Sequence, residues 1–208
     1  MIAVVDYGAG NTRSVLRALE AVGAEARLVA TSEGLGAAER LVVPGVGAAP
    51  SAVEALMAAG MWEPIRSWAA DGRPLLGVCL GAQLLLEGSD EGDAPGLAVI
   101  AGRSRPFPAI ADGGPRQVPH IGWNEVRTRG GGGFDAYFVH GYWLDADPDA
   151  VAGRTTVEGF SFPSLLRSGA VTGTQFHPEK SGPVGRALLR AFAAGSFDVA
   201  RTPQLTWS

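Results

Sequence analysis

Pro74-Leu75-Leu76-Gly77-Val78-Cys79-Leu80-Gly81-Ala82-Gln83-Leu84-Leu85-Leu86 is an apolar run that stops at a cysteine and resumes at helical spacing, with a glycine two residues to either side of the sulfur. A short apolar run with no polar alternation suits a strand covered on both faces, which is how strands of parallel sheets read. The stretch therefore predicts a buried strand over residues 75–78, a tight turn at Cys79 and a helix beyond it. Gly77 and Gly81 leave room for a strained turn that lifts the side chain off the backbone, and the free N–H groups of the helix start favour thiolate over thiol. Strand, nucleophile and helix in that order make a nucleophile elbow with sulfur in place of oxygen. The plainer reading is that Cys79 is filler, because cysteine is among the residue types most often buried. A base elsewhere in the chain decides between the two.

Residues 2–5 and 41–43 have the same unalternating apolar character. Between them, residues 12–21 space Val15, Leu16, Leu19 and Val22 at a helical period, with Gly23 as a stop. A second amphipathic stretch runs from about 51 to 70. Strands alternating with helices predict a parallel sheet with crossover helices. From Gly96 to Val171 the segments become shorter and richer in turn residues, so 118–126, 136–139, 151–156 and 165–167 are expected as antiparallel strands added to that sheet. Gly130 to Gly133 then make a mobile loop between two of them. The chain closes with a strand over 170–176 and a helix from about 183 to 194. The expected fold is α/β: three layers, a mostly parallel central sheet flanked by helices, and antiparallel additions. Residues 1–195 form one domain and 196–208 a loose tail.

Composition excludes several function classes. A net charge of -4 with 18% charged residues supplies no basic stripe to track phosphates, so nucleic acid is not expected as a partner. Met1 leads directly into the first strand without a basic leader, and no apolar stretch approaches the roughly 18 residues of a membrane span, so a cytoplasmic protein is expected. One cysteine rules out an intrachain disulfide and argues against structural zinc. The loop Asp6-Tyr7-Gly8-Ala9-Gly10-Asn11 lacks the third glycine of a dinucleotide fingerprint, and no Gly-Lys-Ser/Thr element exists. No cofactor and no metal are expected.

The base that the cysteine needs is in Thr174-Gln175-Phe176-His177-Pro178-Glu179-Lys180, at the end of the last strand. His177 and Glu179 are two residues apart and can project to one side, and a carboxylate beside an imidazole is the second half of a Cys-His-acid triad. Glu179 would fix the ring tautomer and leave the other nitrogen to serve the thiol and the leaving group. Taken alone, the segment also reads as a solvated loop. A third element, Val43-Pro44-Gly45-Val46-Gly47, places glycines where a backbone N–H can face a developing oxyanion, although it reads equally as an ordinary strand exit.

Gly77-Val78-Cys79-Leu80-Gly81-Ala82-Gln83 and Gln175-Phe176-His177-Pro178-Glu179-Lys180 resemble the class I, or triad, glutamine amidotransferases. Within that class, the stretches 4–11, 44–47, 118–124 and 137–142 resemble the HisH family, the glutaminase subunits of imidazole glycerol phosphate synthases, from the first strand to about Phe192. The resemblance implies a flavodoxin-like fold and hydrolysis of L-glutamine. It also implies a (β/α)8 cyclase subunit, HisF, as heterodimer partner, receiving ammonia for imidazole glycerol phosphate formation in histidine biosynthesis. It implies Cys79 as the residue that forms a glutamyl thioester, His177 as proton shuttle and Glu179 as its support. The backbone N–H groups of Val46 and Leu80 would make the oxyanion hole, and Gly47, Gln83, Gly141 and Tyr142 would line the glutamine pocket. Asn11, Pro119, His120, Ile121, Gly122, Trp123, Asn124 and Lys180 would face the cyclase. Without the resemblance, Trp123 reads as core.

The chain departs from the family where Ala48-Ala49-Pro50 follows Gly47 in place of a nearby Phe, where Ala82 and Ile121 stand for Met, and where Gly141 replaces a small hydroxyl residue. None of these removes a triad side chain. Two alternatives stay open on sequence alone: the glutaminase of another synthase (anthranilate, aminodeoxychorismate or pyridoxal phosphate), and a non-catalytic module on the same fold. The Asp6–Asn11 and Pro119–Asn124 stretches argue against the first, and the complete triad against the second.

Overall fold

Strands without polar alternation must be covered on both faces. A computed structural model, which describes residues 1–8, 11–111 and 114–196, shows how this chain covers them. The first half forms β1 (Ile2–Val5), α1 (Thr12–Ala21), β2 (Ala26–Val29), β3 (Arg40–Gly45), α2 (Ala49–Ala58), α3 (Trp62–Ala70), β4 (Leu75–Cys79) and α4 (Leu80–Leu84). Then come β5 (Gly88–Ser89), β6 (Ala94–Pro95), β7 (Gly102–Pro106), β8 (Ile110–Ala111), β9 (Gly114–Pro115), β10 (His120–Thr128), β11 (Gly133–His140) and β12 (Tyr142–Ala146). The chain ends through β13 (Val151–Val157), β14 (Phe160–Ser168), β15 (Val171–Thr174) and α5 (Gly182–Ala194).

Among the described residues, nine strands make the central sheet, in the order β11-β10-β13-β14-β15-β4-β3-β1-β2. The segment β15-β4-β3-β1-β2 is parallel, and β14, β13, β10 and β11 are joined to it antiparallel. Alternate side chains of each parallel strand feed opposite cores. Ala3, Val5, Leu41, Val43 and Leu75 pack with Val53 and Leu56 of α2 and Ile65 and Trp68 of α3. Ile2, Val4, Val42, Leu76 and Val78 pack with Val15 and Leu19 of α1 and Leu188 and Phe192 of α5. This is the expected α/β sandwich of helices around a mainly parallel core. Among the described residues, no helix is long and apolar enough to cross a membrane.

Several boundaries differ from expectation. The single helix expected over 51–70 is two, because Gly60 turns left-handed at φ 65° between them. Pro64 then falls in the first turn of α3, where its missing N–H costs no hydrogen bond. The strand expected over 118–126 starts at His120, and the one over 170–176 stops at Thr174, so that 175–177 lie beyond the sheet. Gly130 to Gly132 lie between β10 and β11, in a turn where Thr128 N–H bonds the Gly132 carbonyl at 2.8 Å, but Gly133, expected in the same loop, opens β11 opposite Arg127. A small second sheet, β12-β7-β5-β6, was not expected at all. Its strand β7 reads Gly-Arg-Ser-Arg-Pro, with Ser104 buried against Ser89 and Arg103 and Arg105 turned out to Asp90, Asp93 and Asp145, so no apolar alternation marks it. Of the tail, only Ser196 lies within the described residues, and Ala9 and Gly10 of the first loop lie outside them.

Candidate active site

Parallel pairing brings the three candidate motifs to one edge. Thr174 of β15 lies opposite Val78 of β4, and Gly45 of β3 lies opposite Cys79. Chain leaving the C-terminal ends of β15, β4 and β3 therefore emerges side by side, where open α/β sheets form their clefts.

Cys79 stands at φ 54° and ψ -108°, a left-handed conformation that costs a non-glycine residue on the order of 1–3 kcal/mol and marks strain held by its surroundings. Those surroundings are packed glycines. A Cβ on Gly81 would overlap the Val43 carbonyl, one on Gly77 would lie 2.7 Å from the Gly81 carbonyl oxygen, and one on Gly45 would lie 2.7 Å from the Gly81 nitrogen. Glycine at all three positions lets β3 and β4 close onto the elbow. The Cys79 thiol points at the Val139 carbonyl, 3.7 Å away, and Gln175 Nε2 approaches the sulfur at 3.8 Å.

His177 Nδ1 is 2.8 Å from Glu179 Oε1, and each of the two side chains is 1% exposed, so water does not screen the pair. Asn11 Nδ2 donates to the same oxygen at 3.3 Å. With Nδ1 committed to the carboxylate, His177 Nε2 has no hydrogen-bond partner within bonding distance among the described residues and is the nitrogen left for the thiol. Burial alone would push His177 down, but the Cys79 sulfur and the Glu179 carboxylate outweigh it and hold the imidazole up at about 9. At neutral pH the ring is an imidazolium between two acids. Tyr7 supports the facing strand by donating to the Pro44 carbonyl at 2.9 Å. Burial, followed by the neighbouring Cys79, pushes its hydroxyl up to about 12, so it stays a donor.

A cavity of about 270 Å³ opens over these groups, large enough for one small amino acid. Val46, Gly47, Cys79, Leu80, Gln83, Gly141, Tyr142 and His177 all line it. Glu91, Pro119, Val139 and His140 line it too; of these only Pro119 was expected as a site residue, in a different role, while Val139 and His140 lie in the 137–142 stretch without a role of their own. Gln83 Nε2 donates to the Tyr142 carbonyl at 3.2 Å and to Gln175 Oε1 at 3.4 Å, which leaves its own oxygen to accept. Glu91 is held by the Ala49 N–H at 2.7 Å, but no motif surrounds it in the sequence. Gln175 is visible in the sequence as the residue opening the Gln-Phe-His-Pro-Glu run, although its polar contacts are not.

Residues expected to face a partner separate into three groups. Ile121 and Trp123 are 53% and 55% exposed, Pro119 and Lys180 are exposed, and Lys180 Nζ lies 5.8 Å from the centre of the Tyr137 ring. Gly122, Asn124 and Asn11 are half-buried, and Asn11 spends its amide on Glu179. His120 is buried: it sits on the inward side of β10, stacked on Phe107, with Nδ1 2.9 Å from His140 Nε2, so its ring cannot be offered to another protein. Trp123 is on the surface, and reading it as core is wrong because β10 turns that position outward.

A strained cysteine at a strand-to-helix elbow, facing a histidine–glutamate pair on this sheet, defines a class I glutamine amidotransferase; the chain belongs to that family, whose model matches residues 3–195. Within the class it falls among the HisH subunits of imidazole glycerol phosphate synthase. The Streptococcus sanguinis subunit is 44% identical over 200 residues, covering 92% of this chain and 95% of that one. The Natronomonas pharaonis subunit is 43% identical over 206 residues, covering 92% and 93%. A solved structure described as a glutamine amidotransferase, 25% identical, superposes with a TM-score of 0.74 over 93% of this chain and all of that one.

Proposed function

We propose that this chain is the glutaminase subunit of an imidazole glycerol phosphate synthase, releasing ammonia from L-glutamine for a cyclase subunit in histidine biosynthesis. The observation that carries the reading is the convergence of the left-handed Cys79 and the buried His177–Glu179 pair on one cavity that Val46 and Leu80 also border.

Glutamine enters with its side-chain amide toward the sulfur. Glu91 is the only acidic group among the described lining residues and suits the substrate's α-ammonium, while the Gln83 oxygen accepts a further N–H. The Cys79 thiol passes its proton to His177 Nε2, and the thiolate attacks the amide carbon as the S–C bond forms. Negative charge moves onto the amide oxygen, which the N–H groups of Val46 and Leu80 receive. His177 Nε2 gives its proton to the amide nitrogen, the C–N bond breaks, and ammonia leaves a glutamyl thioester. Water, deprotonated by the same nitrogen, then attacks the thioester; the S–C bond breaks and glutamate is released. Glu179 holds the ring in register through both halves. Free ammonia is mostly protonated at neutral pH and so loses its nucleophilicity, which gives a docked partner its purpose: a shielded route to the second site. A (β/α)8 cyclase subunit, HisF, is the partner proposed for that chemistry, and the exposed Ile121, Trp123 and Lys180 are the surface we assign to it.

Glutamate release by the purified chain, measured alone and with the cyclase and its nucleotide ligand, tests this reading beside a Cys79→Ala control. Stimulation by the cyclase that vanishes in the control is expected. No release under either condition, together with no labelling of Cys79 by 6-diazo-5-oxo-L-norleucine, would sink it.

A further inference from the structure

Of the chain's three histidines, the proposed chemistry uses one. The other two are buried together. His140 is 4% and His120 5% exposed, inside a cage formed by Phe107, Phe138 and Phe162. Apolar rings would fill such a space at lower desolvation cost, so two imidazoles there need a polar reason.

Their hydrogen bonds form a single file. His140 Nδ1 is 2.7 Å from the Tyr142 carbonyl oxygen, His140 Nε2 is 2.9 Å from His120 Nδ1, and His120 Nε2 is 2.7 Å from Asn124 Nδ2. A carbonyl only accepts, so the proton of His140 is on Nδ1 and its Nε2 is the acceptor. His120 must then donate from Nδ1, and its Nε2 accepts from the Asn124 amide. Every bond is satisfied with both rings neutral. Burial keeps them so: it is the main influence drawing His140 down to about 3, against the opposing Tyr142 carbonyl, and it also lowers His120, against the opposing charge of Glu158.

The file ends on an atom that matters to the cavity. The Tyr142 carbonyl that takes the His140 proton also takes the Gln83 N–H at 3.2 Å. Gln83, His140 and Tyr142 all line the cavity. Two donors on one oxygen fix both the Gly141–Tyr142 wall and the direction of the Gln83 amide.

We propose that His140, with its tautomer set by His120 and Asn124, is a positioning residue for glutamine: its Nδ1–H holds the Tyr142 carbonyl and thereby orients Gln83 in the pocket. This rests on reading the cavity as a glutamine site, and its test separates the two.

The first arm is ¹⁵N NMR of the histidine rings in the purified wild-type chain at neutral pH, where three rings make a resolvable set. His120 and His140 are expected as neutral Nδ1–H tautomers, beside a doubly protonated His177. An Nε2–H tautomer at His140 or His120 overturns the proposal whether or not the chain turns over glutamine. The second arm follows inactivation by 6-diazo-5-oxo-L-norleucine, separating the half-saturating concentration from the limiting rate. His140→Phe fills the aromatic cage but removes the donor; His140→Asn leaves a void but places an amide N–H where Nδ1 was. The half-saturating concentration should rise about tenfold in His140→Phe, the usual size of one lost pocket hydrogen bond, and recover most of the way in His140→Asn, with the limiting rate changing less in both. Packing alone predicts the reverse order, so His140→Phe behaving as wild type, or better than His140→Asn, overturns the proposal. If the wild type is not inactivated at all, the glutamine reading has failed, and the tautomers alone decide the relay.

Discussion

His177 titrates differently in the folded chain and the free one, and the difference has a sign. Its folded value of about 9 lies above the ordinary 6.5, so between those limits the folded chain holds a proton that the unfolded chain has released. The pair's contribution is therefore complete below about pH 6.5 and is lost as pH rises through about 9, with a magnitude on the order of 1–3 kcal/mol. In a chain of this size that is several degrees of melting temperature. Thermal unfolding from about pH 6 to about pH 10 should show the wild type losing those degrees while His177→Gln does not; parallel curves would mean the imidazolium is not what Cys79 and Glu179 stabilise. A second residue, Gly141, has no left-handed φ, and, its two chain neighbours aside, no described residue comes within 4 Å of the point where a Cβ would stand, so the departure from a hydroxyl residue leaves open space at the cavity wall. Gly141→Ser should leave stability within about 0.5 kcal/mol and lower the half-saturating glutamine concentration by about threefold through one added hydrogen bond. A rise measured in steady-state glutaminase kinetics would show the space is needed empty.

At the scale of elements, the elbow depends on β3 and α4 touching through glycine. Gly81→Ala forces a methyl into the Val43 backbone carbonyl, where no rotamer change gives relief. The expected cost is about 1–3 kcal/mol or more, read in chemical denaturation, together with slower labelling of Cys79 as the turn opens. Gly60→Ala is the contrast: the site is left-handed but open, so a loss of about 1–2 kcal/mol and unchanged labelling are expected. Equal effects on labelling would detach the elbow from its glycines. These same contacts explain what the sequence disclosed. The elbow and the parallel strands were legible because burial on both faces writes an unbroken apolar run. The break between α2 and α3 was written too, in Gly60 and Pro64, but an apolar period that continued across it hid the signal. The small second sheet was hidden for a physical reason: β7 buries a serine and exposes arginines that pair with Asp90, Asp93 and Asp145, so its alternation is electrostatic instead of hydrophobic. Edge strand β2, with only Val29 buried, gives as little.

Across the whole molecule, the two ends of the site come from opposite ends of the chain, Asn11 to Glu179, and their meeting follows from sheet order, which no local pattern spells out. Glu91 entered the cavity unannounced for that reason, placed by tertiary packing and not by a neighbouring motif, whereas His140 stands in the 137–142 stretch beside Gly141 and Tyr142 but nothing local shows its contacts with His120. The same sheet order sets β10 and β11 at one edge, where Trp123 packs against the Tyr137 ring, 6.1 Å between centres, and beside Gly182, with more than half of its surface in water. A large ring left there without burial gains little for the fold, and Ile121, 53% exposed on the same strand, extends the apolar surface. Such a ring is the kind of anchor that a partner's pocket covers, and interface tryptophans of this type commonly cost about 2 kcal/mol or more when removed. Trp123→Ala should therefore weaken the cyclase complex by about thirtyfold in titration calorimetry, the equivalent of that energy. The melting temperature of the isolated chain should move by no more than a degree or two, since a half-exposed side chain contributes little to the core. If affinity holds while the melting temperature falls, the ring supports the edge of the sheet and the cyclase docks on another face.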